Sequence, residues 1–63
     1  MENRYKILEE GKEDRVIVQW LDNTYTPYSV HTYGFNKDGL IWGHYFETLE
    51  GAEEYFVEQG YRK

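Results

Sequence analysis

A chain of 63 residues holds one domain and one core. It has no cysteine, which excludes disulfides and thiolate metal sites, and no apolar run approaches the roughly 20 residues of a membrane-spanning helix. Seven Lys/Arg against twelve Asp/Glu leave a net charge of −5, which opposes attraction to nucleic-acid phosphates or an anionic membrane and suits a partner with a basic surface.

From Met1 to Lys6 there is no apolar h-region, so no secretory signal is expected and a cytoplasmic location is the simplest reading. Small domains without metal or disulfide depend on packing. Here two Trp, seven Tyr and three Phe, 19% of the chain, supply it.

Tyr5 to Glu9 reads as a first strand and Glu10 to Asp14 as a polar turn around Gly11. Arg15 to Leu21 is the clearest strand. Its alternation places Val16, Val18 and Trp20 on one face and Arg15, Ile17, Gln19 and Leu21 on the other. A loop follows, ending at Pro27, which has no N–H to give a ladder.

Tyr28 to Asn36 and Leu40 to Glu47 form a third and a fourth strand joined at Asn36-Lys37-Asp38-Gly39. Those turn residues suit a type I turn closed by a left-handed Gly. The resulting register opposes Phe35 to Ile41, Gly34 to Trp42 and His31 to Tyr45; a four-residue loop would instead oppose Tyr33 to Trp42. A helix closes the chain, with Thr48 as N-cap and Gly60 at its C-terminal end. Leu49, Ala52, Tyr55 and Phe56 share one arc of it, and Glu50, Glu53, Glu54 and Glu58 the opposite arc, with Val57 among the acids.

The expected fold is α+β, an antiparallel four-stranded sheet with the C-terminal helix packed on one face. A three-stranded layout results if residues 5–9 are irregular. The helix is expected to cover Val16, Val18, Trp20, Tyr28, Val30, Thr32, Trp42, His44 and Phe46, with Trp20, Trp42, Phe46 and Phe56 in the core. The other face then carries His31, Tyr33, Phe35, Ile41 and Tyr45, and Ile17 if the sheet is continuous.

Catalytic motifs are absent: there is no phosphate-binding Gly-rich loop, no G-x-S-x-G elbow and no H-E-x-x-H. The expected register puts His31 and His44 on opposite faces, and two imidazoles alone fall short of a zinc site. A metal-dependent enzyme would need acids that converge, whereas the helical glutamates fan over an arc of roughly 140°. No catalytic residue, cofactor or metal is therefore expected.

Two surfaces suit binding. Glu50, Glu54 and Glu58 recur at about 6 Å along the helix axis, close to the roughly 6.8 Å rise of two phosphates on one DNA strand. With Glu53 and Val57 they form a surface able to imitate nucleic acid in a basic groove. The aromatic sheet face (His31, Tyr33, Phe35, Ile41 and Tyr45) suits self-association as a homodimer. In a second reading, Tyr33, Phe35 and Tyr45 stack single-stranded nucleic-acid bases, although Arg15 and Lys37 are the evident cations nearby.

The stretch Trp42-Gly43-His44-Tyr45-Phe46-Glu47-Thr48-Leu49-Glu50-Gly51-Ala52-Glu53-Glu54-Tyr55-Phe56 resembles the strand-to-helix end of small uncharacterised proteins of Gram-positive bacteria and their mobile elements. In size, acidity and lack of enzyme motifs the chain is similar to phage-encoded inhibitors of host defence, including anti-CRISPR proteins. That similarity is one of type, and it implies a protein-binding inhibitor without assigning residues.

Overall fold

The computed structural model describes residues 4–34 and 39–63. Four strands, β1 (Tyr5–Glu10), β2 (Arg15–Trp20), β3 (Tyr28–Tyr33) and β4 (Leu40–Phe46), precede one helix, α1 (Leu49–Glu58). They form a single antiparallel sheet in the order β1-β2-β3-β4, with α1 on one face. The fold is the expected α+β arrangement, and residues 5–9 do belong to a strand.

Local chemistry explains the connections. Between β1 and β2 a short 3-10 turn (Lys12–Asp14) contains two left-handed residues, Glu13 and Asp14, and is closed by Gly11 N–H donating to the Arg15 carbonyl at 2.7 Å. In the β2–β3 loop, Asn23 Oδ1 accepts from the Tyr25 and Thr26 amides at 3.0 and 2.9 Å, an Asx turn. Thr48 caps α1 as anticipated, its Oγ1 accepting from Gly51 N–H at 3.1 Å. At the other end Gly60 adopts φ 77°. The Tyr61 amide then bonds the Phe56 carbonyl and the Gly60 amide the Val57 carbonyl, both at 3.0 Å, which is a Schellman motif. Its usual apolar contact is present too, with the Tyr61 and Phe56 rings edge-to-face at 5.7 Å.

The register of β2 on β3 opposes Ile17 to Val30, and this overturns one expectation. The residue of β2 beneath the helix is Ile17, not Val16, Val18 or Trp20. Ile17, Val30, Ala52 and Phe56 make the helix-side core, with Tyr28, Phe46, Leu49, Tyr55 and Tyr61 around it. Both faces of β2 carry apolar residues, so their alternation could not say which faces the helix. A one-residue slip exchanges the two sets.

Val16 and Val18 are nonetheless 0% exposed. They share the second face with Trp20, which pairs with Tyr5 (ring centroids 5.0 Å), His31 (5.8 Å) and Tyr45 (6.4 Å). The Trp20 indole N–H donates to the buried Ser29 hydroxyl at 2.7 Å. A layer of rings thus stands on this face where a second helix would otherwise be needed.

The β3–β4 register also differs from both anticipated ones. His31 opposes Gly43 and Tyr28 opposes Phe46, but Thr32 opposes Ile41, so Trp42 is an extra residue in a β-bulge. The shift of two residues below the bulge preserves the faces, and His31 and His44 do lie on opposite sides. Above the bulge Ile41 moves to the Thr32 side, away from His31, Tyr33 and Tyr45. Trp42 leaves the core: it has φ 54° and is 80% exposed. The proposed turn residues Asn36, Lys37 and Asp38, together with Phe35, lie outside the described residues.

Candidate functional site

The helical acids stand where the sequence placed them. Glu50, Glu54 and Glu58 are exposed, Val57 is half exposed among them, and Glu53 is partly buried on the side toward Arg62. No ion pair engages Glu50, Glu54 or Glu58 among the described residues.

The second face is less open than anticipated. His31 is 7% exposed, packed edge-to-face on Tyr45 at 5.5 Å and on Trp20. Its ring covers Gly43 so closely that a Cβ there would lie 2.5 Å from His31 Cε1. Burial pushes the His31 imidazole below its usual pKa, countered by the nearby Trp42 backbone, and neither ring nitrogen has a hydrogen-bond partner of good geometry. Tyr33 donates its hydroxyl to Glu10 at 3.3 Å; burial first and the Glu10 charge second raise its pKa. Tyr45 remains half exposed. Phe35 lies outside the described residues, and Ile41 is on the other side of the sheet. Most of these rings therefore serve the fold.

A further site went unread in the sequence. On the helix-bearing side, a cleft of about 430 Å³ opens between the β-bulge and the C-terminal half of α1, lined among others by Arg15, Thr32, Trp42, His44, Tyr55 and Tyr61. The Arg15 guanidinium lies over the Tyr61 ring, 4.6 Å from its centroid, and its Nη1 donates to Thr32 Oγ1 at 2.7 Å. Its Nε is buried without an acceptor, and no carboxylate pairs with it among the described residues. A buried charged-group donor left unpaired costs about 1–3 kcal/mol or more, so this is an expensive arrangement in a chain rich in acids.

The walls are aromatic. His44 packs on Tyr55 at 4.9 Å, and Tyr55 meets Tyr61 at 6.3 Å. Burial, then the Tyr61 hydroxyl, raise the Tyr55 pKa.

Tyr61 is held in place by the returning C-terminal segment. Its carbonyl accepts from the Lys12 amide at 2.6 Å, and Arg62 pairs in a fork with Glu9 at 2.7 and 2.8 Å. Gly11 makes this passage possible, since a Cβ there would lie 2.2 Å from the Tyr61 oxygen.

Trp42 stands at the mouth on a backbone conformation that costs an L-residue about 1–2 kcal/mol, and bulges of this kind usually place Gly there. An indole left 80% exposed gains little from folding in return. The signal in the sequence was the run Leu40 to Phe46, seven residues without a charge or a proline. The period-2 pattern hid the bulge inside it.

Among the described residues no group of three or more His, Cys, Asp or Glu is arranged to hold a metal, and no helix is long and apolar enough to cross a membrane. No protein-family model, curated protein or solved structure matches the chain.

Proposed function

We propose that this domain is a non-catalytic protein-binding module, an acidic inhibitor-type protein that docks on a basic surface through the β4 edge and the glutamates of α1. Trp42 is the observation that carries the reading. The indole is exposed, it sits on a costly backbone, and exposed Trp is the residue type most enriched at interface hot spots.

Two parts make up the proposed surface. Among the described residues β4 is an edge strand with one side of its ladder unpaired, and α1 packs against it through Tyr55 on His44 and on Phe46, 5.4 Å between the latter rings. A partner strand or loop would take Trp42 as anchor. The free row Glu50, Glu54 and Glu58 would then steer a basic groove, such as a nucleic-acid-binding one, toward the same side, with Val57 and Glu53 beside it.

The test is capture from the source cells, run in parallel with the wild-type chain, Trp42→Ala, and a Glu54→Lys/Glu58→Lys double variant. One protein should be retained by the wild type and lost with Trp42→Ala. The charge-reversed variant should hold it weakly, and salt above roughly 0.15 M should weaken the wild-type complex. A captured set indifferent to both variants removes the reading. Micromolar binding of a single-stranded oligonucleotide in a gel shift would transfer the function to base stacking.

A further inference from the structure

We propose that the Arg15 cleft is a binding site for a small aromatic carboxylate, a role beyond protein docking that shares Trp42 with it. The cation determines the charge of the occupant. Arg15 is the guanidinium of the lining, its Nη1 is committed to Thr32, its Nε is buried without an acceptor, and its Nη2 meets no acceptor among the described residues. Nη2 is thus the nitrogen through which a carboxylate takes a charge-assisted hydrogen bond, and a small shift of the occluded Nε toward the cleft completes a bidentate pair. Tyr61 stacks on the face of the same group, which leaves hydrogen bonding in its plane free.

The walls determine the rest of the ligand. Trp42, Tyr55, Tyr61 and His44 line the space around one cation, and the volume of about 430 Å³ falls in the range of roughly 300–1,000 Å³ typical of small-molecule sites. A single-ring acid fills such a space, with its ring against Trp42 and the Tyr55–His44 pair. A phosphate dianion suits it less well. It would ask for more donors than one fork, and the net charge of −5 disfavours a second negative charge. The same net charge does not forbid a monoanion, because screening over about 8 Å at physiological salt leaves Arg15 as the dominant local charge.

The probe is 3-phenylpropionate, compared with the neutral 3-phenylpropionamide and with inorganic phosphate, titrated into the isolated chain and followed by proton–nitrogen NMR. With two Trp in the chain, the Trp42 indole N–H can be assigned and followed beside the Arg15 Nε–H. The acid should shift both signals saturably, and the amide should bind at least roughly tenfold more weakly, as loss of a charged hydrogen bond requires. Arg15→Gln should cost at least as much.

Because Arg15 also supports Tyr61, Trp42→Ala serves as the second variant. Trp42 is 80% exposed, so its loss should weaken the acid severalfold, read on the Arg15 signal, with the rest of the spectrum largely unchanged. Equal binding of acid and amide, phosphate binding as tight as the acid, or full affinity in both variants would overturn the proposal, as would the absence of a saturable shift.

Discussion

Replacing Trp42 by Gly and, separately, by Ala measures the backbone strain on which the functional reading rests. Both substitutions remove the same indole, so any burial it contributes cancels between them. What differs is the backbone. At φ 54° an Ala keeps the left-handed penalty of about 1–2 kcal/mol, while Gly escapes it and loses roughly 0.5–1 kcal/mol through its greater freedom when unfolded. The Gly variant should therefore be the more stable by about 1 kcal/mol, the reverse of the order at an ordinary strand position. For a domain of this size that is about 4–8 °C in melting temperature. Thermal and urea melts followed by circular dichroism read the difference directly. Both variants should also lose the partner, so the two differ in stability while sharing the binding defect. If the Ala variant proves the more stable, residue 42 is extended, no strain is stored there, and the argument from costly exposure collapses.

Gly43→Ala should destabilise by about 1–3 kcal/mol, since its methyl would meet the His31 ring. In a His31→Ala background the loss should shrink, and additivity of the two in urea melts would refute the contact. Phe56→Ala removes the fully buried ring under the helix and should cost about 3–5 kcal/mol. Against a total of about 3–9 kcal/mol for 63 residues, circular dichroism should show a largely unfolded chain at 37 °C. Acid should weaken the fold in two stages. The folded chain binds a proton at His31 less readily because burial lowers its pKa, so its contribution is full above about pH 6.5 and declines below that as the unfolded chain takes up a proton. Glu9, lowered by its hydrogen bonds to Arg62, adds a loss as pH falls below its ordinary 4.5. Urea midpoints between pH 8 and pH 5 should fall, and His31→Gln should flatten that upper stage. Glu54→Lys with Glu58→Lys should leave the melting temperature nearly unchanged, because exposed charges contribute little to folding.

The elements were legible because their signals are local. Thr48 and Gly60 mark the helix ends by their own hydrogen-bonding chemistry, and Gly11 and Pro27 interrupt the strands beside them. Facing and register are different in kind, since they depend on partners far along the chain. Val16 and Ile17 are both apolar, and only the pairing of Ile17 with Val30 decides which meets Phe56. The helical glutamates were readable as a surface because an arc of acids has nowhere else to go. The Arg15 cleft was not, because it gathers β2, β3, β4, α1 and the segment after α1. Arg15 and Tyr61 are brought together by Tyr61's hold on Lys12, a long-range bond with no signature in the spacing. Trp42 misled for a related reason: a large aromatic in a strand is normally core, and one left-handed residue turned it outward.

The bulge has a further consequence for how the chain behaves in a crowd of its own copies. Leu40–Phe46 is a seven-residue strand at the sheet edge without a charge or proline to guard it. An edge of that composition, if regular, is a template on which strand after strand can add, the first step toward fibres. Trp42 interrupts the spacing of its N–H and C=O groups near the middle, so a second extended strand cannot run the full length in register. The kink thus limits uncontrolled growth, a task other edge strands give to lysine or proline, while leaving a short, anchored stretch for one selected guest.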